Sequence, residues 1–368
     1  MAKKKATNKK ATRKQKPKRA PKKAKKAAKK RPGKKKVSSK PRKRPSPKSD
    51  APKVSDMMRG KTLPHIGLLT RDEALEVIKL GEWFRDNLEK RAHSNLLQGR
   101  VQVIMMVYES TRTRMGFERA MAQLGGSSVY LSIKDTQMGR GESLLDTARA
   151  LDAYTDLFSG RLSSQDDMET VAANMGCSVL NACTPVDHTT HVLGELMAIK
   201  QAKGRLEGLN LTYVGMARGI LHSFIRICPI LGVNLVLAQP ESYARTIDGD
   251  ILAQGRARAA KFGTRLEIVT DLKDAVRDTD FIQASTLIRS MLAGEQSPEE
   301  REVEVSEWTV TDEVIRAAKP GVLYSHSGPA HRGICASDSV MDGFRKYIQQ
   351  ETLNAIHSKK ALMAMMVK

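Results

Sequence analysis

The stretch at residues 101–126 reads VQVIMMVYESTRTRMGFERAMAQLGG and combines an apolar run with an amphipathic segment. Its first part, Val101–Val107, is an almost unbroken apolar run, which predicts a buried strand. Its second part, Met115–Leu124, places Phe117 and Leu124 on one apolar face of a predicted helix. A buried strand, a polar turn and an amphipathic helix in this order are typical of parallel sheets covered by helices.

The same order of strand, turn and helix recurs along the chain. Further strands are predicted at Ser178–Leu180, Leu211–Gly215, Asn234–Ala238, Arg265–Thr270, Phe281–Ser285 and Val322–Ser325. Further helices are predicted at Thr70–Asn87, His191–Lys200 and Ile220–Leu231, and between Asp338 and Val367. We therefore predict an α/β protein: two parallel-sheet Rossmann-like domains with a cleft between them, plus a disordered basic N-terminal tail. The predicted parts are residues 1–58 (tail), 59–196 (first domain), 197–338 (second domain) and 339–368 (C-terminal helical elements that return to the first domain).

The charge of the chain is concentrated in its first 50 residues. They contain 25 of the 63 Lys and Arg residues and a single acid, Asp50, so the rest of the chain is nearly neutral. Such a segment cannot bury enough apolar surface to offset the entropy of ordering it, which predicts disorder. Residues 1–55 could bind nucleic acid or another polyanion through counterion release. One alternative is a solubilising tail without a specific partner; another is a transit peptide, which the density of lysine and proline fits poorly.

Other classes of protein are disfavoured by the sequence. The four cysteines have neither zinc-ligand nor disulfide-framework spacing, which suits a reducing compartment. No apolar run reaches the roughly 18 residues that a membrane span needs. We therefore predict a cytoplasmic protein without a membrane segment, a metal or a cofactor.

The turn after the first strand has the composition of an anion site. Ser110-Thr111-Arg112-Thr113-Arg114 opens the following helix. The free N–H groups and the dipole of a helix N-terminus favour phosphate, and guanidinium groups add charge-assisted donors. A Ser-capped helix with two surface arginines is the alternative that spacing alone leaves open.

The ordered motifs of residues 60–368 resemble those of aspartate and ornithine carbamoyltransferases. They are STRTR at 110–114, FE at 117–118, QLGG at 123–126, GRGES at 139–143, DTAR at 146–149, Arg161, Asn181, His188, Gly215, HS at 222–223 and HSGPAHRG at 326–333. The resemblance implies transfer of the carbamoyl group of carbamoyl phosphate to an amine of an amino acid, without a metal. It also implies a homotrimer, with the loop from Gln137 to Glu142 near the subunit border.

The resemblance also assigns roles to residues. Ser110, Thr111, Arg112, Thr113, Arg161, His188 and His191 would bind carbamoyl phosphate. Arg161, His188 and Ser327 would be catalytic. The second substrate would contact Asn181, Gly219, Ser285, Arg289, Ser327 and Gly328.

Several positions depart from the family pattern, and most of them belong to the second-substrate site. The family's H-P-x-Q motif reads His188-Thr189-Thr190-His191 here, and its H-C-L-P motif reads His326-Ser327-Gly328-Pro329. Ser285 stands in place of the family's substrate-binding aspartate, and Ala355 in place of its C-terminal arginine. The family's Asn-Asn turn is replaced by Met216-Ala217-Arg218-Gly219. Without the aspartate, ornithine is a poor candidate for the acceptor, and Arg218 and Arg289 favour an anionic one. The same departures fit a second hypothesis, a catalytically impaired binding protein of this fold with a polyanion-binding tail.

We predict that deletion of residues 1–55 abolishes binding to DNA or RNA and leaves the fold unchanged, because the remaining chain is nearly neutral. Binding by the full chain should be independent of sequence and should weaken steeply with salt. Anisotropy titrations of both chains at low and high salt measure this. Equal affinity of the two chains would contradict the prediction.

Overall fold

The structure, a computed structural model, describes residues 53–88, 94–286 and 306–368. Nine parallel strands lie within these ranges, in two separate sheets. They are β1 (Val101–Met106), β2 (Ser127–Ser132), β3 (Leu157–Arg161), β4 (Ser178–Cys183), β5 (Asn210–Val214), β6 (Asn234–Ala238), β7 (Leu266–Val269), β8 (Phe281–Ala284) and β9 (Leu323–His326). The two parallel-sheet domains predicted from the sequence are confirmed.

Twelve helices of the described ranges connect and cover the strands. They are α1 (Arg71–Asp86), α2 (Thr111–Gln123), α3 (Leu144–Asp152), α4 (Gln165–Asn174), α5 (Thr189–Lys203), α6 (Gly219–Ile227), α7 (Glu241–Ala244), α8 (Gly249–Phe262), α9 (Leu272–Val276), α10 (Asp312–Ala317), α11 (Asp338–Gly343) and α12 (Arg345–Met366). None of them is both long and apolar enough to span a bilayer.

The first sheet has the strand order β2-β1-β3-β4. Its register pairs Val103 with Phe158 and Phe158 with Val179, so the apolar side chains of three strands line up in its core. The second sheet has the order β7-β6-β5-β8-β9. In both sheets the order reverses next to the first strand along the chain, and the carboxyl ends at such a reversal are where parallel sheets bind ligands.

The C-terminal helix α12 closes the structure. It packs against α1, α2 and α5 of the first domain and against β9 of the second. The backbones of α12 and α5 come close where the two helices cross: a Cβ atom on Gly194 would lie 2.6 Å from the Cα of Ala355. Ala355, which replaces an arginine of the family pattern, thus lies at a helix contact that tolerates little bulk.

Two predicted boundaries differ from the structure. Met58, assigned to the tail, ends a short 3₁₀ helix and is buried, because its side chain packs into the core of the first domain. The boundary after residue 196 falls inside the continuous helix α5, whose residues 192–199 are all buried. The predicted disorder of the tail concerns residues 1–52, which lie outside the described residues.

Candidate active site

Strands β1, β3 and β4 of the first sheet end at the same edge. Residues predicted to bind carbamoyl phosphate lie at the end of each strand or in the segment that follows it. Met106 at the end of β1 pairs with Arg161 at the end of β3, which pairs with Cys183 at the end of β4. All three strands are parallel, so their carboxyl ends face the same side of the sheet. The chain then enters α2 at Ser110–Thr113 and α5 at His188, which brings the predicted carbamoyl-phosphate residues to one edge.

Helix α2 begins with a hydroxyl cap. The hydroxyl of Ser110 accepts a hydrogen bond from the backbone N–H of Thr113 at 3.3 Å and donates one to the Thr113 hydroxyl at 2.9 Å. Thr113 is buried, whereas Thr111 and Arg112 are exposed. The first turn of the helix therefore offers N–H groups, hydroxyls and a guanidinium to an anion.

Arg112 connects the two domains at this edge. A Cβ atom on Gly328, in the turn after β9, would lie 1.9 Å from its Nη2 atom. Gly328 has a φ of 62°, a left-handed conformation that glycine adopts without steric penalty. The missing side chain at Gly328 thus lets the guanidinium rest against the second domain.

His188 supplies a neutral imidazole next to the helix start. Its backbone N–H donates to the Ser223 hydroxyl at 2.8 Å, and its Nδ1 atom is enclosed without a hydrogen-bond partner among the described residues. Burial, followed by the charges of His191, Arg161 and Lys359, lowers the pKa of His188 well below its usual value. The ring is therefore uncharged at neutral pH and has one N–H to donate.

His191 faces two buried carboxyl groups that were not predicted. Its Nε2 atom lies 3.6 Å from Glu195 and 3.5 Å from Glu351. Burial, then the neighbouring Glu351, raises the pKa of Glu195 well above its usual value, and burial raises the pKa of Glu351 to about 7. Ser325 donates to Glu351 at 2.7 Å. Two carboxyl groups this close are stable in a buried site when they share a proton.

Within the described ranges, His191, Glu195 and Glu351 form the one cluster of His, Cys, Asp or Glu side chains that could hold a metal ion. Their ligand atoms lie within 4.8 Å of one another. A proton shared between the two carboxyl groups would satisfy their oxygen atoms without a cation, whereas the Nε2 atom of His191 has no hydrogen-bond partner among the described residues. The absence of a metal therefore stays a prediction.

Ser285 and Ser327, predicted for the second substrate, are in contact. They follow the neighbouring strands β8 and β9, and the Ser327 hydroxyl donates to the Ser285 hydroxyl at 3.2 Å. Both residues are buried, and neither has an ionisable side chain. This wall of the site can offer hydrogen bonds but no countercharge for an ammonium group.

Two other predicted second-substrate residues are held in the interior. Asn181 is fully buried in β4, where its side-chain amide donates to the Pro64 carbonyl at 2.6 Å. Gly219 begins α6 so close to the loop between β4 and α5 that a Cβ atom would lie 2.6 Å from the Thr184 carbonyl oxygen. In the structure, Asn181 thus links β4 to the segment at Pro64, and Gly219 lies where two backbone segments come close together. Arg289 lies outside the described residues.

Sequence reasoning missed Glu195, Glu351 and Lys359. Glu195 follows His191 by four residues, a spacing that places both side chains on one face of a helix. The pattern was readable, but acidic and basic side chains on a helix usually face solvent. The burial of α5 and α12 between the two sheets is what makes these residues part of the site.

The chain belongs to the aspartate/ornithine carbamoyltransferase family. The family model for the carbamoyl-P binding domain matches residues 61–201, and the model for the Asp/Orn binding domain matches residues 207–366. The resemblance seen in the motifs is therefore confirmed, and the enzyme class that it implies is that of the carbamoyltransferases.

Individual relatives support the same family. The chain is 31% identical over 306 residues to ornithine carbamoyltransferase of Oceanobacillus iheyensis, covering 83% of this chain and 94% of that protein. The ornithine carbamoyltransferase structure from Pyrococcus furiosus matches with a TM-score of 0.79 at 30% identity, covering 84% of this chain and 98% of that one. Aspartate transcarbamoylase from Trypanosoma cruzi matches with a TM-score of 0.77 at 21% identity, which shows the fold alone; the match covers 86% of this chain and 98% of that one.

We predict that Glu351→Gln changes how stability depends on pH. In the folded protein burial raises the pKa of Glu351 from the usual 4.5 to about 7, so the carboxyl group keeps its proton at a pH where the unfolded chain has lost it. The protonated carboxyl group therefore stabilises the folded state, and this contribution is lost as the pH rises through 7. The free energy of unfolding of the parent, relative to the variant, should therefore fall between pH 5 and 8, by up to about 1.4 kcal/mol per pH unit. Urea unfolding at four pH values measures this difference.

Glu313→Gln is the matched control, because Glu313 is an exposed surface residue. Its unfolding free energy should follow that of the parent across the same pH range. A pH-independent difference between the parent and Glu351→Gln would rule out a shared proton at Glu351.

Proposed function

We propose that the protein transfers the carbamoyl group of carbamoyl phosphate to an amine of an amino acid other than ornithine. The observation that carries this proposal is the convergence of the α2 start, Arg161 and His188 at one edge of the first sheet. This arrangement gathers the hydrogen-bond donors that direct attack of an amine on carbamoyl phosphate needs.

The proposed chemistry is direct attack of the amine on the carbonyl carbon. A C–N bond forms and the carbonyl oxygen becomes negative. The carbonyl then re-forms as the C–O bond to phosphate breaks; phosphate leaves with the electron pair of that bond and accepts the proton that the nitrogen loses. Arg161, neutral His188 and the Thr113 hydroxyl would donate hydrogen bonds to the developing oxyanion, where preorganised donors have their largest effect. Ser110, Thr111, Arg112 and the α2 amide groups would hold the departing phosphate, and His191 would lie beside the carbamoyl amide.

The acceptor should differ from ornithine because its expected contacts are replaced. Ser285 and Ser327 form an uncharged pair, and Gly219 has no room for a side chain. Arg218, half-buried at the start of α6, adds a positive charge close enough to affect the pKa of Cys183. These residues favour an acceptor that carries a carboxylate near the position of the family's asparagine turn.

The second candidate is a binding protein that retains carbamoyl phosphate but has little turnover. The replaced residues at Ser285, Ser327 and Ala355 favour it. A screen of amino acids and polyamines distinguishes the two, with phosphate release and mass spectrometry as readouts. A carbamoylated product supports the enzyme, and stable binding without any product supports the binding protein.

The assembly and the location of the protein belong to the same proposal. A homotrimer in the cytoplasm follows from the family resemblance. The segment Gln137–Arg140 is a mostly exposed 3₁₀ helix, which leaves it accessible for a subunit border. Light scattering on the full chain tests the trimer.

We predict that millimolar carbamoyl phosphate or phosphate raises the melting temperature by a few °C, because a ligand of the native state alone stabilises it, by about 2.7 kcal/mol at 100 times its Kd. Arg112→Ala should remove most of the shift. Arg114→Ala is the control, since Arg114 pairs with Glu118 and stacks on Tyr130 at 3.8 Å, away from the anion. Equal loss in both variants, or no shift in the parent, would count against the site.

We predict that citrulline formation from ornithine is far below the rates of roughly 1–1,000 per second that are usual for enzymes. The uncharged Ser285–Ser327 pair gives a cationic amine no partner. Ser285→Asp should raise the rate, since it restores a carboxylate beside Ser327. A colorimetric citrulline assay measures both proteins, and an ordinary rate in the parent would overturn this view of the acceptor.

A further inference from the structure

Lys359 is a buried cation that the catalytic scheme above does not use. Its side chain, on α12, is 4% exposed, and its Nζ donates to the Ala355 carbonyl oxygen at 2.9 Å. Within the described ranges it forms no ion pair, and Glu351 acts on it only electrostatically, although an ammonium group has three donors. An ammonium that is buried without a countercharge is expensive, so its position needs a reason.

The ammonium group of Lys359 lies against the anion-binding helix α2. Its Nζ is 5.3 Å from the ring centroid of Phe117. A Cβ atom on Gly116 would lie 3.2 Å from the Lys359 Cε and 3.4 Å from its Nζ. Thr113, Gly116 and Phe117 share one buried face of α2. Lys359 thus reaches the helix one turn beyond Thr113, where glycine makes room for it.

The charge of Lys359 also acts on the other side of the candidate site. It lowers the pKa of both His188 and His191, at the start of α5. The ammonium therefore lies against α2 and is close enough to the histidine pair to act on it electrostatically. Ala355, one turn earlier on α12, places no long side chain in the space between them.

We propose that Lys359 is a second cationic ligand of the anion site and, with Arg112, holds the phosphate group of carbamoyl phosphate. This inference rests on the proposed function. The bound anion supplies the missing countercharge, and the two free N–H donors of Lys359 bond to its oxygens. The phosphate dianion is then bound by two cations, Arg112 at the exposed start of α2 and Lys359 on the buried side of that helix.

The proposal has a consequence for pH. Burial lowers the pKa of Lys359 to about 8, and the nearby Glu351 partly opposes this. The other groups that face the cluster are His188 and His191 on α5 and Arg112 on α2. Lys359 is charged below pH 8 and neutral above it, so anion affinity should fall as the pH rises through 8. An arginine at this position stays charged throughout.

The experiment measures the Kd of inorganic phosphate and of carbamoyl phosphate by calorimetry between pH 6.5 and 9.5, using the full chain. Lys359→Met should weaken binding about tenfold or more at pH 7. Lys359→Arg should retain binding at pH 7 and lose the decline above pH 8. Lys360→Met is the control, because Lys360 is equally buried but lies over Phe84 and donates to Gln123; its Kd should stay within twofold of the parent.

Each outcome has a distinct meaning. An unchanged Kd in Lys359→Met overturns the role of Lys359 and leaves the proposed function standing. A parent that binds neither ligand overturns the anion site and, with it, the role of Lys359. If Lys359→Met does not fold, the Lys359→Arg profile decides: a decline above pH 8 equal to that of the parent overturns the proposal, and a flat profile supports it.

Discussion

The parallel direction of β1, β3 and β4 is the constraint on which the candidate site depends. Parallel neighbours present their carboxyl ends together, so segments far apart in sequence, at Ser110, Arg161 and His188, reach the same edge without contacting one another in the core. The second sheet obeys the same rule and brings Ser285 beside Ser327. The two edges meet where Arg112 rests on Gly328, so a small residue at one turn decides how closely the domains approach.

Much of this organisation could be predicted, because strands that are buried in a parallel sheet appear in the sequence as short apolar runs. The strands at Val101, Asn234 and Phe281 were apolar runs, and the structure confirms them within one or two residues. The edge strand β2 was missed, because Ser127–Ser132 is half-exposed and only weakly apolar. Helix α2 begins four residues before the predicted Met115, because its first turn is polar and is marked by the Ser110 cap alone. Capping chemistry, not hydrophobicity, sets that boundary.

The charged residues of α5 and α12 could not be placed from the sequence. Glu195, Glu351 and Lys359 have helical spacing that fits a solvated face equally well, and only the position of both helices between the sheets buries them. Burial then changes their chemistry: the carboxyl groups keep a proton, the histidines lose theirs, and Lys359 remains without an adjacent carboxylate. In a medium of low dielectric constant each of these states depends on its neighbours, so a bound anion would alter all of them together.

The two halves of the site have therefore diverged to different extents. The half that would hold carbamoyl phosphate keeps the Ser110 cap, Arg112 and Arg161, although Ala355 replaces one arginine of the family pattern; the proposed role of Lys359 would supply a cation from α12. The half that would hold the acceptor has lost each ionisable group that the family pattern places there, and Gly219 is now packed against the Thr184 carbonyl. An asparagine of the family pattern cannot be restored at Gly219 without moving the loop between β4 and α5, because a Cβ atom there would lie 2.6 Å from the Thr184 carbonyl oxygen. Under the proposed function, the acceptor preference would therefore depend on the ends of β8 and β9 together with Arg218 at the start of α6.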